Sequence, residues 1–314
     1  MVAYITRRLL QLPILLLLVS LIVFSLMSIA PGDPVPLMLG DYATKESIAS
    51  LRHELGLDRP LSVQYLSWLG DAVRGDLGWS VQTRQDILWE IRVRIPNTLT
   101  LAVAAMSLAL IVGIPVGIVA AVKQNTWVDY VSMTFALGAL SIPSFVLAIF
   151  LIMVFAVYLH WLPISGSPSV LEDPTGAARA MILPCIALGA RAAGGLARMV
   201  RSCMVEVLNE DYITTARGKG VRNSHIYLRH ALKNAFIPVL TVIGINFAFM
   251  LGGSIVIEQI FSIPGIGGLM MRGVLGRDYP VIQGVSLVVA VIFVVVNLAT
   301  DVLYSYLDPR IRYD

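Results

Sequence analysis

Charge is what this chain has least of. Only 14% of its 314 residues are Asp, Glu, Lys or Arg, where a soluble globular protein carries about a quarter. The charges are clumped, long stretches have none, and hydrophobic residues reach 57%. That excludes an ordinary soluble domain and implies a polytopic membrane protein. Cysteine is nearly absent. Cys185 and Cys203 are too few for a disulfide framework and fall in or beside apolar runs, where they read as small buried residues. No phosphate-cradling loop is visible, because Gly218-Lys219 is followed by Gly220 instead of Ser or Thr, and Ile213 stands where the first Gly belongs. The chain is therefore expected not to hydrolyse ATP by itself. His-Glu-x-x-His, paired Cys-x-x-Cys and Gly-x-Ser-x-Gly are missing too, and His53, His160, His225 and His230 are scattered, so no metal site and no catalytic residue is expected. The net charge of +3 carries no nucleic-acid message, since the basic residues gather beside the apolar runs.

What is there is a series of apolar runs. The first, Leu9 to Ala30, follows Arg7 and Arg8. It is long enough to cross a bilayer, which takes about 20 residues, and exceeds the core of a cleaved signal of about 7–15 residues. Five more candidates follow: Ile95–Val122, Tyr130–Tyr158 with a kink at Ser141–Ser144, Ala178–Val200 interrupted by Arg191, Phe236–Ile257, and Tyr279–Leu303. Six spans place both termini on one side. Arg7, Arg8, Lys123, Arg201, Arg217, Lys219, Arg222, Arg229, Lys233, Arg310 and Arg312 fall on that side, against Arg179, Arg272 and Arg277 in the short loops opposite. The first side is therefore read as cytoplasmic.

Between the first two runs, Pro31–Arg94 is mixed in polarity. It contains Pro31-Gly-Asp-Pro34, an amphipathic helix over Lys45–Gly56, a second helix over Val63–Val73, and a Gly-rich loop at Gly75–Ser80. It reads as a small helical extracytoplasmic subdomain resting on the outer membrane face. The Glu258–Asp278 stretch and the loop from His160 through Gly166 to Glu172 are further outer segments.

One polar, basic hairpin stands out, Asp211–Pro238, with an uncharged apolar run on either side. Glu210 and Asp211 are placed to cap a short helix through Arg217, Gly218 and Gly220 to break it, and Asn223 or Ser224 to cap a second helix through Ala235. Two short helices with a glycine joint suit a docking surface better than a plain connector. Inside the spans, ionisable and amide groups are expensive. Arg191 reads either as a cation lining a path, meeting an anionic group, or as a structural Arg with a partner. Glu258 is either a path residue or a helix-end charge, and Asn246, Gln283 and Asn297 are either path groups or glue between helices.

The hairpin's residues Asp211, Tyr212, Ala216, Arg217, Lys219, Gly220, His230, Ala231, Asn234, Ala235 and Pro238 carry a pattern that resembles the coupling loop of ATP-binding-cassette importer permeases, in their peptide/nickel branch. Against that loop's short form, Glu-Ala-Ala then Gly, only Ala216 and Gly220 match, with Thr214 and Thr215 in the other two places. Further motifs follow in order: Gly252-Gly253-Ser254, Glu258, Phe261, Pro264-Gly265-x-Gly267, Arg277–Gln283, and Asp301–Arg312. The resemblance runs nearly end to end. It implies an all-α type I importer permease fold with six transmembrane helices. The first part, 1–94, would hold the first helix and the outer subdomain; 95–307 would be the permease domain, with a cytoplasmic coupling loop at 201–235; and 308–314 would be a cytoplasmic tail.

By the same resemblance the chain sits in the bacterial inner membrane and forms the path for di- or oligopeptides, with nickel chelates and glutathione as alternatives. Its implied partners are a second homologous permease, two ATPases that bind ATP and Mg, and an extracytoplasmic solute-binding protein; it needs no cofactor of its own. Coupling would fall to Asp211, Tyr212, Thr215, Ala216, Arg217, Lys219, Gly220, His230 and Asn234. A stand-alone secondary transporter is the alternative of another class, and it would leave the hairpin pattern without a purpose.

Overall fold

A computed structural model describes residues 2–29, 35–36, 44–54, 56–164 and 173–307. The expectations at Pro31–Pro34, at Gly166 and Glu172, and over the tail after 307 lie outside them. The described chain is helical, with one isolated antiparallel bridge between Trp79 and Asp86. In order come α1 (Val2–Ile29), α2 (Lys45–Glu54), α3 (Leu61–Val73), α4 (Ile87–Val122), α5 (Trp127–Ser141), α6 (Ser144–Leu151, prolonged by a π-helical segment Ile152–Tyr158), α7 (Pro174–Leu208), α8 (Asp211–Gly218), α9 (Leu232–Ile260), α10 (Ile266–Leu275) and α11 (Tyr279–Leu307).

Four helices hold stretches long and apolar enough to cross a membrane: Ile87–Val122, Pro174–Leu208, Pro238–Ile260 and Tyr279–Thr300. The pair α5 and α6 makes a fifth if it is one span. It is bent by 102°, a sharper break than the expected kink. Pro143 lacks an N–H and pushes Ile142 out of the helical region, to ψ 123°. The apolar part of α1, Leu10–Leu26, is shorter. Of the six expected spans, length and composition support four, or five with the bent pair; α1 stands where the first was expected.

Helix ends depart from expectation for local reasons. α4 begins at Ile87 instead of Ile95. Glu90, Arg92 and Arg94 mask its start in the hydropathy, while Ile87 and Ile91 keep a helical period and are fully buried. α7 begins at Pro174 because Asp173 caps it, its carboxylate accepting from Gly176 N at 2.8 Å and from Thr175 Oγ1 at 2.9 Å. Those bonds, the backbone one first, hold the Asp173 carboxyl below the usual carboxylate range. Thr44 and Ser47 cap α2 reciprocally, each side-chain oxygen accepting from the other's backbone N–H at 3.1 and 2.9 Å.

By packing, the chain divides into two units. One comprises Val2–Pro96 and Pro264–Val294. This division adds Pro264–Val294 to the segment expected to end at Arg94. Leu77, Ile87 and Ile91 share a core with Ile266, Leu269, Val281 and Val285. Polar bonds close it: Ser80 Oγ donates to Asp278 Oδ2 at 2.6 Å, Thr83 Oγ1 donates to Glu90 Oε1 at 2.6 Å, and Arg94 pairs with Glu90 at 2.9 Å. Asp278 and Glu90 are both buried, so these partners offset the cost of removing two carboxylates from water.

The other unit comprises Asn97–Ile263 with the chain from Val295. Its centre is α7, which packs on α5, α6 and α9. Small residues set the spacing. A Cβ on Gly113 or Gly117 of α4 would stand 2.7 Å from Ala193 O or 2.6 Å from Ala197 O of α7. One on Gly189 of α7 would stand 2.6 Å from Ala105 O, and Gly194 abuts Ala136 O of α5. Near the end of α7, Arg201 grips buried Asp129 with two parallel bonds, of 2.5 and 2.7 Å. Cys185 and Cys203 are free and buried in the same helix.

Gly117→Val should therefore lower the melting temperature of the detergent-purified protein, since overpacking costs about 1–3 kcal/mol. Gly138→Ala, where the added methyl meets nothing within 4 Å, should leave it unchanged. Equal melting temperatures for both would contradict this account of the packing.

Candidate functional site

The basic hairpin lies wholly within the unit centred on α7. α8 carries Asp211 in its first turn and Arg217 in its last, which suits the helix dipole. Its footing is Ile213, fully buried, with Ala216 half-buried one turn on. Asp211, Tyr212, Thr214, Thr215 and Arg217 face outward. The helix closes by backbone bonds, Lys219 N to Thr215 O at 3.0 Å and Val221 N to Ala216 O at 3.2 Å. Gly220 then turns the chain at φ +77°, a left-handed conformation that costs other residues about 1–2 kcal/mol.

Both expected caps are corrected. The residue before α8 is Glu210, with no side-chain capping bond, and its backbone carbonyl accepts from Ile213 N at 3.0 Å instead. Arg222, not Asn223 or Ser224, precedes the second helical segment, again without a side-chain cap. Nor is that segment a separate short helix. Asn223–His225 passes through a π-helical turn, Ile226–Ala231, directly into α9 and on to Ile260. No glycine or proline interrupts it before Pro238, which lies inside α9. Such π turns are rare within helices and are frequent at functional sites.

A side-chain bond joins the two arms: Asn234 Nδ2, in the first turn of α9, donates to Tyr212 Oη at 2.7 Å. The π turn also sets the His225 and His230 rings edge to face, with centroids 5.4 Å apart. Beside them is an open groove of about 430 Å³ lined by Val221, Arg222, Ser224, His225, Leu228 and Arg229. Leu228 is 61% exposed within it. The surface offered is thus a basic rim around an apolar anchor, with α8 held alongside.

The five path candidates lie on three helices. Arg191 is on α7, Asn246 and Glu258 on α9, and Gln283 and Asn297 on α11, with Gln283 in the other unit. Glu258 is buried. Thr98 Oγ1 donates to its Oε1 at 2.7 Å, and Ser254 Oγ lies 3.1 Å from the same oxygen, so the carboxylate ties α9 to α4. Asn246 Nδ2 donates to Val242 O at 2.9 Å within its own helix. Gln283 and Asn297 are half-buried. Arg191 is exposed near the middle of α7, and among the described residues it has no hydrogen bond or ion pair. Arg198, missing from the expected set, is exposed seven residues on and is likewise unpaired. That spacing puts both cations on one face of the helix, a pattern visible in the sequence.

Comparison with known proteins adds a second line. Residues 113–313 match the family described as binding-protein-dependent transport system inner membrane component, and residues 1–102 match its N-terminal companion. A protein of Brucella abortus (strain 2308), provisionally named a peptide transport system permease, is 44% identical over 314 residues, covering 100% of both chains. The glutathione transport system permease protein GsiC of Escherichia coli (strain K12) is 44% identical over 313 residues, also covering 100% of both. A chain from inward-facing structures of the MetNI methionine ABC transporter superposes with a TM-score of 0.60 at 18% identity, over 70% of this chain and 97% of that one. At that identity the likeness speaks for the fold alone.

Tyr212→Phe removes the bond to Asn234 but keeps the ring. Losing about 1 kcal/mol should speed amide exchange in α8 roughly fivefold. Unchanged exchange across Ile213–Arg217 would mean that the bond does not hold the helix.

Proposed function

The chain belongs to the family of binding-protein-dependent transport system inner membrane components, and from that premise we propose that it is the permease subunit of an importer for di- or oligopeptides. Glutathione is the alternative with a named relative behind it, and a nickel chelate remains within the same branch. The observation that carries the reading is the hairpin: a short helix with a polar outer face, tied by Tyr212 and Asn234 to a second arm continuous with a membrane span.

On this reading both termini and the hairpin are cytoplasmic, and two partner ATPases, which hold the ATP and Mg, dock on the hairpin. A second homologous permease completes the path, and an extracytoplasmic binding protein delivers solute. Asp211, Tyr212, Thr215, Ala216, Arg217, Lys219, Gly220, His230 and Asn234 form the coupling surface. Closure of the ATPases pushes α8, and Asn234 passes the push to α9. Because helix runs unbroken from Asn223 to Ile260, that displacement moves the span instead of dissipating in a loop. The chain supplies this mechanical link and no phosphoryl chemistry.

Arg191 and Arg198 face the path. Two unpaired cations on one face of a spanning helix are tolerated where water or an anionic group meets them, and a peptide carboxylate supplies that charge. Asn246, Glu258, Gln283 and Asn297 are proposed as further path-side or path-shaping groups, with Glu258 acting through its bond to Thr98.

Two substitutions test the two halves of this proposal. Gly220→Asp should depress solute-stimulated ATPase activity and uptake several-fold while the assembled complex persists in the membrane; unchanged uptake would remove the coupling assignment. Arg191→Gln should reduce uptake of a free-carboxylate peptide more than that of its C-terminally amidated form, with assembly intact. Equal loss of both peptides would make Arg191 structural.

A further inference from the structure

α3 is an amphipathic helix with a wide apolar arc. Of its 13 residues only Asp71 is charged. At 100° per residue, Gln64, Ser67 and Asp71 fall on one narrow polar arc, and Ser62 is the one small polar residue on the opposite side. Tyr65 and Trp68 occupy one part of the remainder and pack on α1. Phe24 contacts both rings, with centroids 5.4 and 6.0 Å apart, and Ser20 Oγ lies 2.9 Å from Tyr65 Oη. Ser20 Oγ also donates to Leu17 O at 2.8 Å, and Tyr65 Oη lies 3.4 Å from the same carbonyl. Leu66 and Val73 occupy the other part and are 65% and 81% exposed.

The contacts with α1 fix what covers that exposed face. Ser20 lies within the apolar stretch Leu10–Leu26 and is fully buried by α3 and its own helix. From Ser20 to Ile29, the last residue of α1, the rise is roughly 14 Å at about 1.5 Å per residue. α3 is thus pinned alongside the apolar part of α1, well short of its end. The neighbouring surface of α1 is itself a lipid-type face, with Leu18, Leu21 and Leu26 between 46% and 58% exposed. α3 thus presents exposed apolar residues beside a helix that does the same.

We propose that α3 is embedded in the leaflet into which the C-terminal half of α1 runs, with Leu66 and Val73 against acyl chains. On the proposed topology this is the outer leaflet; with α1 spanning in the opposite sense, α3 would be embedded in the inner one. The segment between the first two spans then does more than rest on the membrane surface. It anchors α1 through Ser20–Tyr65 and adds a lipid-immersed buttress beside it. Burying an amphipathic helix this way draws on its apolar area, as interfacial helices do.

The test is nitroxide accessibility on the full chain, co-expressed with its neighbouring subunits and reconstituted in phosphatidylcholine/phosphatidylglycerol nanodiscs. Leu66→Cys and Val73→Cys would be labelled in a Cys185→Ala, Cys203→Ala background, with Leu18→Cys as the lipid reference and Lys45→Cys as the aqueous one. Both test sites are exposed, so neither substitution opens a cavity. A polar nickel chelate is excluded from hydrocarbon, so the oxygen-to-nickel accessibility ratio should match Leu18 and exceed Lys45 roughly tenfold. A ratio like that of Lys45 would place α3 in water and overturn the proposal. Low accessibility to both reagents would show another protein chain covering the face, and would overturn it equally. Neither result bears on whether the chain transports peptides, which uptake measures separately.

Discussion

Everything in the unit centred on α7 depends on how closely that helix approaches its neighbours. Lipid tails are as apolar as leucine, so spanning helices gain little from hiding apolar surface in one another and associate through close packing and hydrogen bonds. Gly113 and Gly117 let α4 meet the carbonyls of Ala193 and Ala197, and Gly189 and Gly194 let α7 meet those of Ala105 and Ala136. Three of these contacts join α4 and α7, two through glycines of α4 and one through a glycine of α7, so neither helix can slide along the other without losing several at once. Arg201 and Asp129 lock one end of the same assembly with a bidentate pair. A carboxylate buried at that position without its guanidinium would cost several kcal/mol.

That close-packed centre gives the hairpin something to act on. α8 is seated by one buried isoleucine and hinged at one left-handed glycine, so it is a small rigid piece on a defined pivot. The second arm has no hinge before α9. The asymmetry suits the proposed transmission, in which a push on the first arm would cross the Asn234–Tyr212 bond into α9. Arg191 and Arg198 are both exposed on one face of α7, so the helix that organises the packing also carries the two cations proposed to meet a solute.

Much of this was legible in the residues and some was not. Apolar runs marked the spans because a bilayer imposes length and composition together. The start of α4 was hidden, because Glu90, Arg92 and Arg94 interrupt the run while Ile87 and Ile91 continue the helix beneath them. The break at Pro143 was visible, but its 102° size was not, since a proline says where a helix fails and not how the next one packs. The core joining Leu77 and Ile87 to Leu269 and Val281 pairs residues too distant in sequence for any local period to reveal. At the hairpin the glycine joint was read correctly, and the caps were not. On an exposed helix end, water can satisfy the first N–H groups, so a capping residue type states a preference only. Arg198 needed only the seven-residue spacing from Arg191 to be noticed.

The most direct measurement is a photo-crosslink from the outer face of α8. Thr215, whose hydroxyl bonds back to Asp211 O at 2.9 Å, would be replaced by a photoreactive amino acid in the native membrane, and the linked product identified by mass spectrometry. The account predicts an ATPase subunit, with a yield that changes when ATP is supplied. Crosslinks to lipid alone, in a chain whose uptake proceeds without ATP, would contradict it.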